Sequence, residues 1–137
     1  MQRAESDVRD AALRFETELS EIAEQLIVAN DEDFILNIHK VQIVHPVRLQ
    51  AGVPFGFMVH CTFDDQPDEH EMFRQSRVFS SFIRDMVGWS LGVPCYFAIL
   101  GNDPKQAAAI LVMVLMDVYQ VTDLQSVAIE KFQFPGQ

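Results

Sequence analysis

The sequence predicts an α+β domain, a single-layer and mostly antiparallel sheet packed by helices in the order α-β-β-α-β-α-β. Three observations carry this expectation. The first thirty residues repeat apolar positions at helical spacing, and residues 53–63 alternate at strand spacing. The later elements interchange without the regularity of a doubly wound sheet, and no Gly-rich phosphate loop follows any strand. At 137 residues, 49 % apolar and with eleven Phe, the chain 1–137 suits one domain with a sizeable core.

The N-terminal element is the clearest. Val8, Ala12, Phe15, Leu19, Ile22, Leu26 and Ala29 follow one another at steps of four and three. They form one apolar seam on a long amphipathic helix over about residues 5–29. Ser6 and Asp7 are read as its cap, Asn30 as its left-handed stop, and Glu16, Glu18, Glu21 and Glu24 lie off the seam. The seam packs either on its own domain or on another copy or partner helix. The second reading makes Phe15, Leu19, Ile22 and Leu26 candidate partner-binding residues.

Two strands are expected next. In "FILNIHKVQIV" (34–44) the apolar parity slips between Ile38 and Val41, which a bulge near His39 would reconcile. Pro46 ends this strand or places it at an edge. In "VPFGFMVHCTF" (53–63), Val53, Phe55, Phe57, Val59, Cys61 and Phe63 share one face. "DDQPDEHEM" then reads as a loop, with Pro67 opposing a regular element.

A helix is expected from Glu69 to about Val87, burying Phe79, Phe82, Ile83 and Met86 and stopped by "GWSLG". "VPCYFAIL" (93–100) reads as a short buried strand. "GNDPKQ" is a helix start, with Asp103 as N-cap and Pro104 in the first turn. The helix it opens runs to about Gln120, and "SVAIEKFQF" (126–134) supplies a last strand. The apolar run Ala107–Met116 is too short for a bilayer, which needs about 20 residues. It predicts a helix buried nearly all round, wrapped by the sheet and other helices or closed at a homo-oligomer interface. Met58, Met72, Met86, Met113 and Met116 read first as core fillers and second as an adaptable binding surface.

Charge narrows the partners. Ten Lys and Arg against twenty Asp and Glu give a net charge of −10. Nucleic acid and anionic lipid call for a basic footprint, so neither is expected as partner. Residues 1–33 hold ten of the acids, whereas 34–63 hold none, a wet acidic face followed by core. Cys61 and Cys95 form no metal-type or redox pair, and the charged N-terminus has no signal-peptide pattern. A reducing cytoplasm is the expected location.

Chemistry was sought where reactive residues gather. His39, His45, His60 and His70 fall within 32 residues, beside Asp64 and Asp65. His39, His45, His60 and Asp64 form the candidate metal set, because pairing of the two strands would bring His39 or His45 toward His60. Alternation sends His60 and Cys61 to opposite faces, so these neighbours cannot serve one ion together. Both cysteines sit in apolar strand contexts, and no nucleophile elbow or paired-carboxylate spacing appears. Arg74, Arg77, Ser81 and Arg84 are spaced 3, 4 and 3. On one helix they make a basic stripe fit for an acidic segment or anion, or a solvated face neutralised by Glu71, Asp85 or the first helix.

The function expected is that of a non-enzymatic, self-associating acidic protein that binds another polypeptide, an adaptor or chaperone-like module without cofactors. Its partner surfaces are the seam, the over-apolar helix and Arg74, Arg77 and Arg84, and its favoured oligomer is a dimer. The alternative is a metal- or small-ligand-dependent enzyme or sensor on a His/Asp-lined sheet face. In layout alone, with no shared motif residue, the chain is similar to small, acidic, dimeric secretion chaperones. Bacterial export chaperones of the SecB type share the acidity and the oligomeric habit. That resemblance implies a cytoplasmic, oligomeric polypeptide binder.

Overall fold

The computed structural model describes residues 2–27, 32–47, 55–64 and 66–135, with side chains for 7–24, 33–47, 55–64 and 66–134. The α+β class holds: six antiparallel strands form one sheet, and helices pack against it. Helix α1 (Gln2–Ile27) is followed by β1 (Glu32–Ile38), β2 (Val41–His45) and β3 (Met58–Thr62). Then come α2 (Pro67–Gln75), a 3-10 turn (Arg77–Ser81), β4 (Ile83–Arg84) and α3 (Met86–Ser90). Strand β5 (Cys95–Ile99), α4 (Pro104–Asp117), a second 3-10 turn (Leu124–Ser126) and β6 (Ile129–Pro135) complete the fold. Across the sheet the strands lie in the order β4-β5-β3-β2-β1-β6.

Four local expectations change. Helix α1 begins at Gln2, so Ser6 and Asp7 lie inside it instead of capping it, since nothing in Gln2–Glu5 opposes helix. The side chain of Leu26, and Ala29 and Asn30, lie outside the described residues. The parity slip in 34–44 is a hairpin and not a bulge. Ile38 pairs with Val41, and the chain reverses through His39 and Lys40, with His39 at φ 57°. Pro67 starts α2 rather than preventing it, because a first-turn proline has no amide bond to lose.

The long helix expected over 69–87 is broken. Ser76 takes an extended conformation (φ −80°, ψ 160°), and its hydroxyl donates to the Phe73 carbonyl at 2.7 Å. Serine competes with the helix for its own backbone in this way, and a 3-10 turn follows. Of the expected buried side, Phe82 is buried, while Phe79, Ile83 and Met86 are exposed.

One face of the sheet carries the core. Phe34, Leu36, Ile38, Val41, Ile43, Val59, Cys61, Tyr96 and Ala98 are buried there with Phe15, Leu19 and Ile22 of α1 and Leu111, Val114 and Leu115 of α4. The seam therefore closes on its own domain. Each such Phe or Leu, taken fully from water, contributes about 1.5–3 kcal/mol. Asp103 caps α4 by accepting from the amides of Lys105 (3.0 Å) and Gln106 (3.4 Å), and Pro104 follows it, as the sequence predicts. The apolar run Ala107–Met116 of α4 is mostly buried within the chain, with Ala109 and Met116 exposed.

Candidate functional site

Alternation along the strands turns the remaining side chains to the opposite, outer face. Register places Ile99, Met58, Val44, Ile35 and Phe132 side by side, one from each of β5, β3, β2, β1 and β6. This row is apolar from end to end. The next row reads Ile83, Phe97, His60, Gln42, Asn37 and Glu130, apolar at the β4 end and polar beyond. None of these side chains belongs to the buried core; Ile99 and Phe132 are each 43 % exposed and Ile83 60 %. Among the described residues, the buried faces of α1 and α4 join the core on the inner side, while Met58, Val44 and Ile35 of the outer row stay half-buried. Phe134, exposed on β6, continues the apolar surface toward the edge.

This face is masked in the sequence by the better parity of each strand, which belongs to the core. Its signal was present: Ile35, Val44, Met58 and Ile99 are apolar at positions where a half-solvated strand would show polar residues.

The residues predicted to form sites are dispersed. Phe15, Leu19 and Ile22 are fully buried against the chain's own core. The single line of Arg74, Arg77 and Arg84 does not form, because the break at Ser76 distributes them over α2, the 3-10 turn and β4. Each cation has its own internal partner. Arg74 meets Glu71 at 3.6 Å, Arg77 pairs with Asp117 at 3.0 Å, and Arg84 lies 4.6 Å from the centre of the Trp89 ring.

The four metal candidates do not converge either. His45 points inward from β2, buried and packed on Phe57, whereas His60 points outward from β3. Asp64 is exposed in the turn after β3. His39, at the hairpin tip, shares one shallow surface hollow with His60, Asn37, Lys40, Gln42 and Thr62. His70 lies elsewhere, bonded through Nε2 to the Tyr96 hydroxyl at 2.7 Å.

A different set does meet. Nε2 of His60, a carboxylate oxygen of Asp85 and Sγ of Cys95 all lie within 4.8 Å of one another. His60 Nε2 stands 3.3 Å from Asp85 Oδ2, while Asp85 Oδ1 accepts from the Val87 amide at 3.2 Å and caps α3. The antiparallel β4–β5 pairing folds Asp85 back onto Cys95, and its amide donates to the Cys95 carbonyl at 3.0 Å. Short α3 then covers the thiol: a Cβ on Gly88 would strike Cys95 Sγ. Burial raises the Cys95 pKa, and the Asp85 charge adds to the effect. Cys61, buried on the inner face, is pushed up to about 12 by burial and is an inert core thiol. Asp85 and Cys95, ten residues apart, carry no metal-type spacing, so only the folded strand pair brings them together.

Compared with protein-family models, curated proteins and solved structures, the chain matches none of them. No helix among the described residues is long and apolar enough to cross a membrane.

Proposed function

We propose that this chain is a non-enzymatic, self-associating interaction module whose copies pair through the outer sheet face. One observation carries the proposal: the uncharged row Ile99–Met58–Val44–Ile35–Phe132 across five strands, exposed at both ends and half-buried between. Interface cores are depleted in charge in this way, and apolar patches of such extent on soluble proteins mark contact sites.

A second copy is the favoured occupant for two reasons. The five strands of this row at about 4.8 Å spacing, each roughly 17 Å or longer, give a face on the order of 400 Å² in plan. Side-chain relief carries that toward the roughly 800 Å² per partner of a stable dimer. Two chains at −10 each also repel at long range, so pairing requires an apolar centre of this kind. The bound polypeptide belongs to the β6 edge. That strand runs seven residues at the end of the sheet, and an extended segment can add to such an edge by main-chain bonding.

Native mass spectrometry of the untagged chain tests the pairing. A dimer mass that gives way to monomer in Met58→Glu is the expected result. A monomer at every concentration, or a dimer unmoved by that substitution, would refute it.

A further inference from the structure

We propose that His60, Asp85 and Cys95 form a binding site for a borderline-soft divalent transition metal, zinc being the natural occupant. His60 stands one row from the proposed pairing row on the same outer face, and none of the three ligands belongs to that row. The ligand atoms are His60 Nε2, Asp85 Oδ2 and Cys95 Sγ. They come from three neighbouring parts of the β4 end of the sheet: β3, the residue between β4 and α3, and the first residue of β5.

Geometry is the first argument. A tetrahedral ion bound at about 2.0–2.3 Å holds its ligand atoms roughly 3.3–3.8 Å apart. The His60–Asp85 separation of 3.3 Å already equals such an edge. Sγ lies within 4.8 Å of both, so closing the site requires a movement of about 1 Å by one short side chain.

Orientation is the second. His60 Nε2 donates to Asp85 Oδ2 at 3.3 Å; when a metal takes that nitrogen the ring proton moves to Nδ1, where the Thr62 hydroxyl at 3.5 Å can accept its hydrogen bond. Asp85 spends Oδ1 on the α3 cap, and its carboxylate is thereby fixed with Oδ2 toward His60. Cys95 is held by the β5 ladder below and by Gly88 above, where nothing larger than hydrogen fits.

Chemistry is the third. One imidazole, one carboxylate and one thiolate suit zinc and related ions, and disfavour magnesium and calcium, which take oxygen alone. As the metal–sulfur bond forms, the Cys95 thiol gives its proton to solvent, and the anion is neutralised by the cation. Three protein ligands leave a fourth position. His60 and Asp85 retain 20 % and 32 % side-chain exposure, so that position opens to the outer face, where water or a partner's side chain completes the shell.

The test is titration with Co²⁺ as a spectroscopic stand-in, followed by competition with Zn²⁺. One Co²⁺ per chain is expected, with thiolate-to-metal absorption that Zn²⁺ abolishes. Cys95→Ser should lose the absorption, and His60→Gln and Asp85→Asn should each lose stoichiometric binding. His39→Gln and Cys61→Ser should retain both. Circular dichroism checks each fold; if Cys95→Ser does not fold, the outward-facing His60→Gln decides. Absence of stoichiometric binding in the wild type, or binding that survives His60→Gln, would overturn the site.

Discussion

His45 Nε2 and Asn102 Oδ1 lie 2.7 Å apart in the core, and Asn102 in turn donates through Nδ2 to the Ala23 carbonyl at 3.1 Å. Because the asparagine offers its oxygen, the histidine must be the donor, protonated at Nε2. Its Nδ1 is then buried and without a hydrogen-bond partner among the described residues. Burial lowers the pKa of His45, and the Asn102 bond and the Asp33 charge offset this only in part. The relay ties β2 to the loop before α4 and to α1, and protonating the ring would bury a charge with no acceptor for Nδ1–H among the described residues.

The pH dependence follows in sign. A histidine whose folded pKa lies below its unfolded value binds fewer protons when folded, so stability rises with pH. His45 contributes fully above the unfolded value near 6.5, and its contribution is lost as pH falls below that toward the folded pKa. Urea unfolding at pH 7.5 and 5 should show wild type losing more stability than His45→Gln. Equal losses would remove His45 from the account.

Gly56 supplies the close approach that seats Asn102. A Cβ there would stand 2.5 Å from the Gly101 carbonyl carbon and 2.7 Å from the Asn102 amide nitrogen, both backbone atoms unable to swing away. Gly56→Ala should cost about 1–3 kcal/mol through overpacking. Gly101→Ala, where a Cβ meets nothing within 4 Å, is the control and should cost far less in the same denaturant titration.

Arg14 holds the approach to β6. Its guanidinium donates to the carbonyls of Leu124 (3.3 Å), Gln125 (2.8 Å) and Val127 (2.6 Å) around the 3-10 turn. Hydrogen bonds from a charged donor are each worth about 1.5–3 kcal/mol. Arg14→Met should therefore destabilise by that order and raise amide exchange in 124–134 ahead of the other strands. Uniform exchange would contradict the clamp.

The Tyr119 hydroxyl is buried without a partner among the described residues, and burial, before the neighbouring Cys61 and Glu69, pushes its pKa up. Tyr119→Phe removes an unsatisfied oxygen and keeps the ring against Phe63 and His39. Thermal unfolding should show it neutral or stabilised by about 1 kcal/mol. A clear loss would reveal a bond that the hydroxyl makes.

These positions differ in how plainly the sequence announced them. The α1 seam and the Asp103–Pro104 start of α4 were legible because each is local: helical spacing and a cap need no distant partner. The hairpin at His39–Lys40 was not, since no Asn-Gly or Asp-Gly pair marks it and the parity slip admits a bulge equally well. The break at Ser76 turned one imagined arginine stripe into three separate ion-pair and ring contacts. The Cys95–Asp85–His60 cluster and the Arg14 clamp depend on strand pairing and on contacts over a hundred residues apart, which no local pattern encodes. The outer row was spelled out in off-parity Ile35, Val44, Met58 and Ile99. It could be read only once register aligned the four strands.

Sedimentation equilibrium of wild type beside Val44→Asp tests the central claim most directly. Val44 sits mid-row on the outer face, away from the core, so a charge there should leave the fold intact while disrupting pairing. A wild-type dimer and a folded monomeric variant are expected. A wild-type monomer at the highest concentration reached, or a variant that pairs as tightly as wild type, would contradict it.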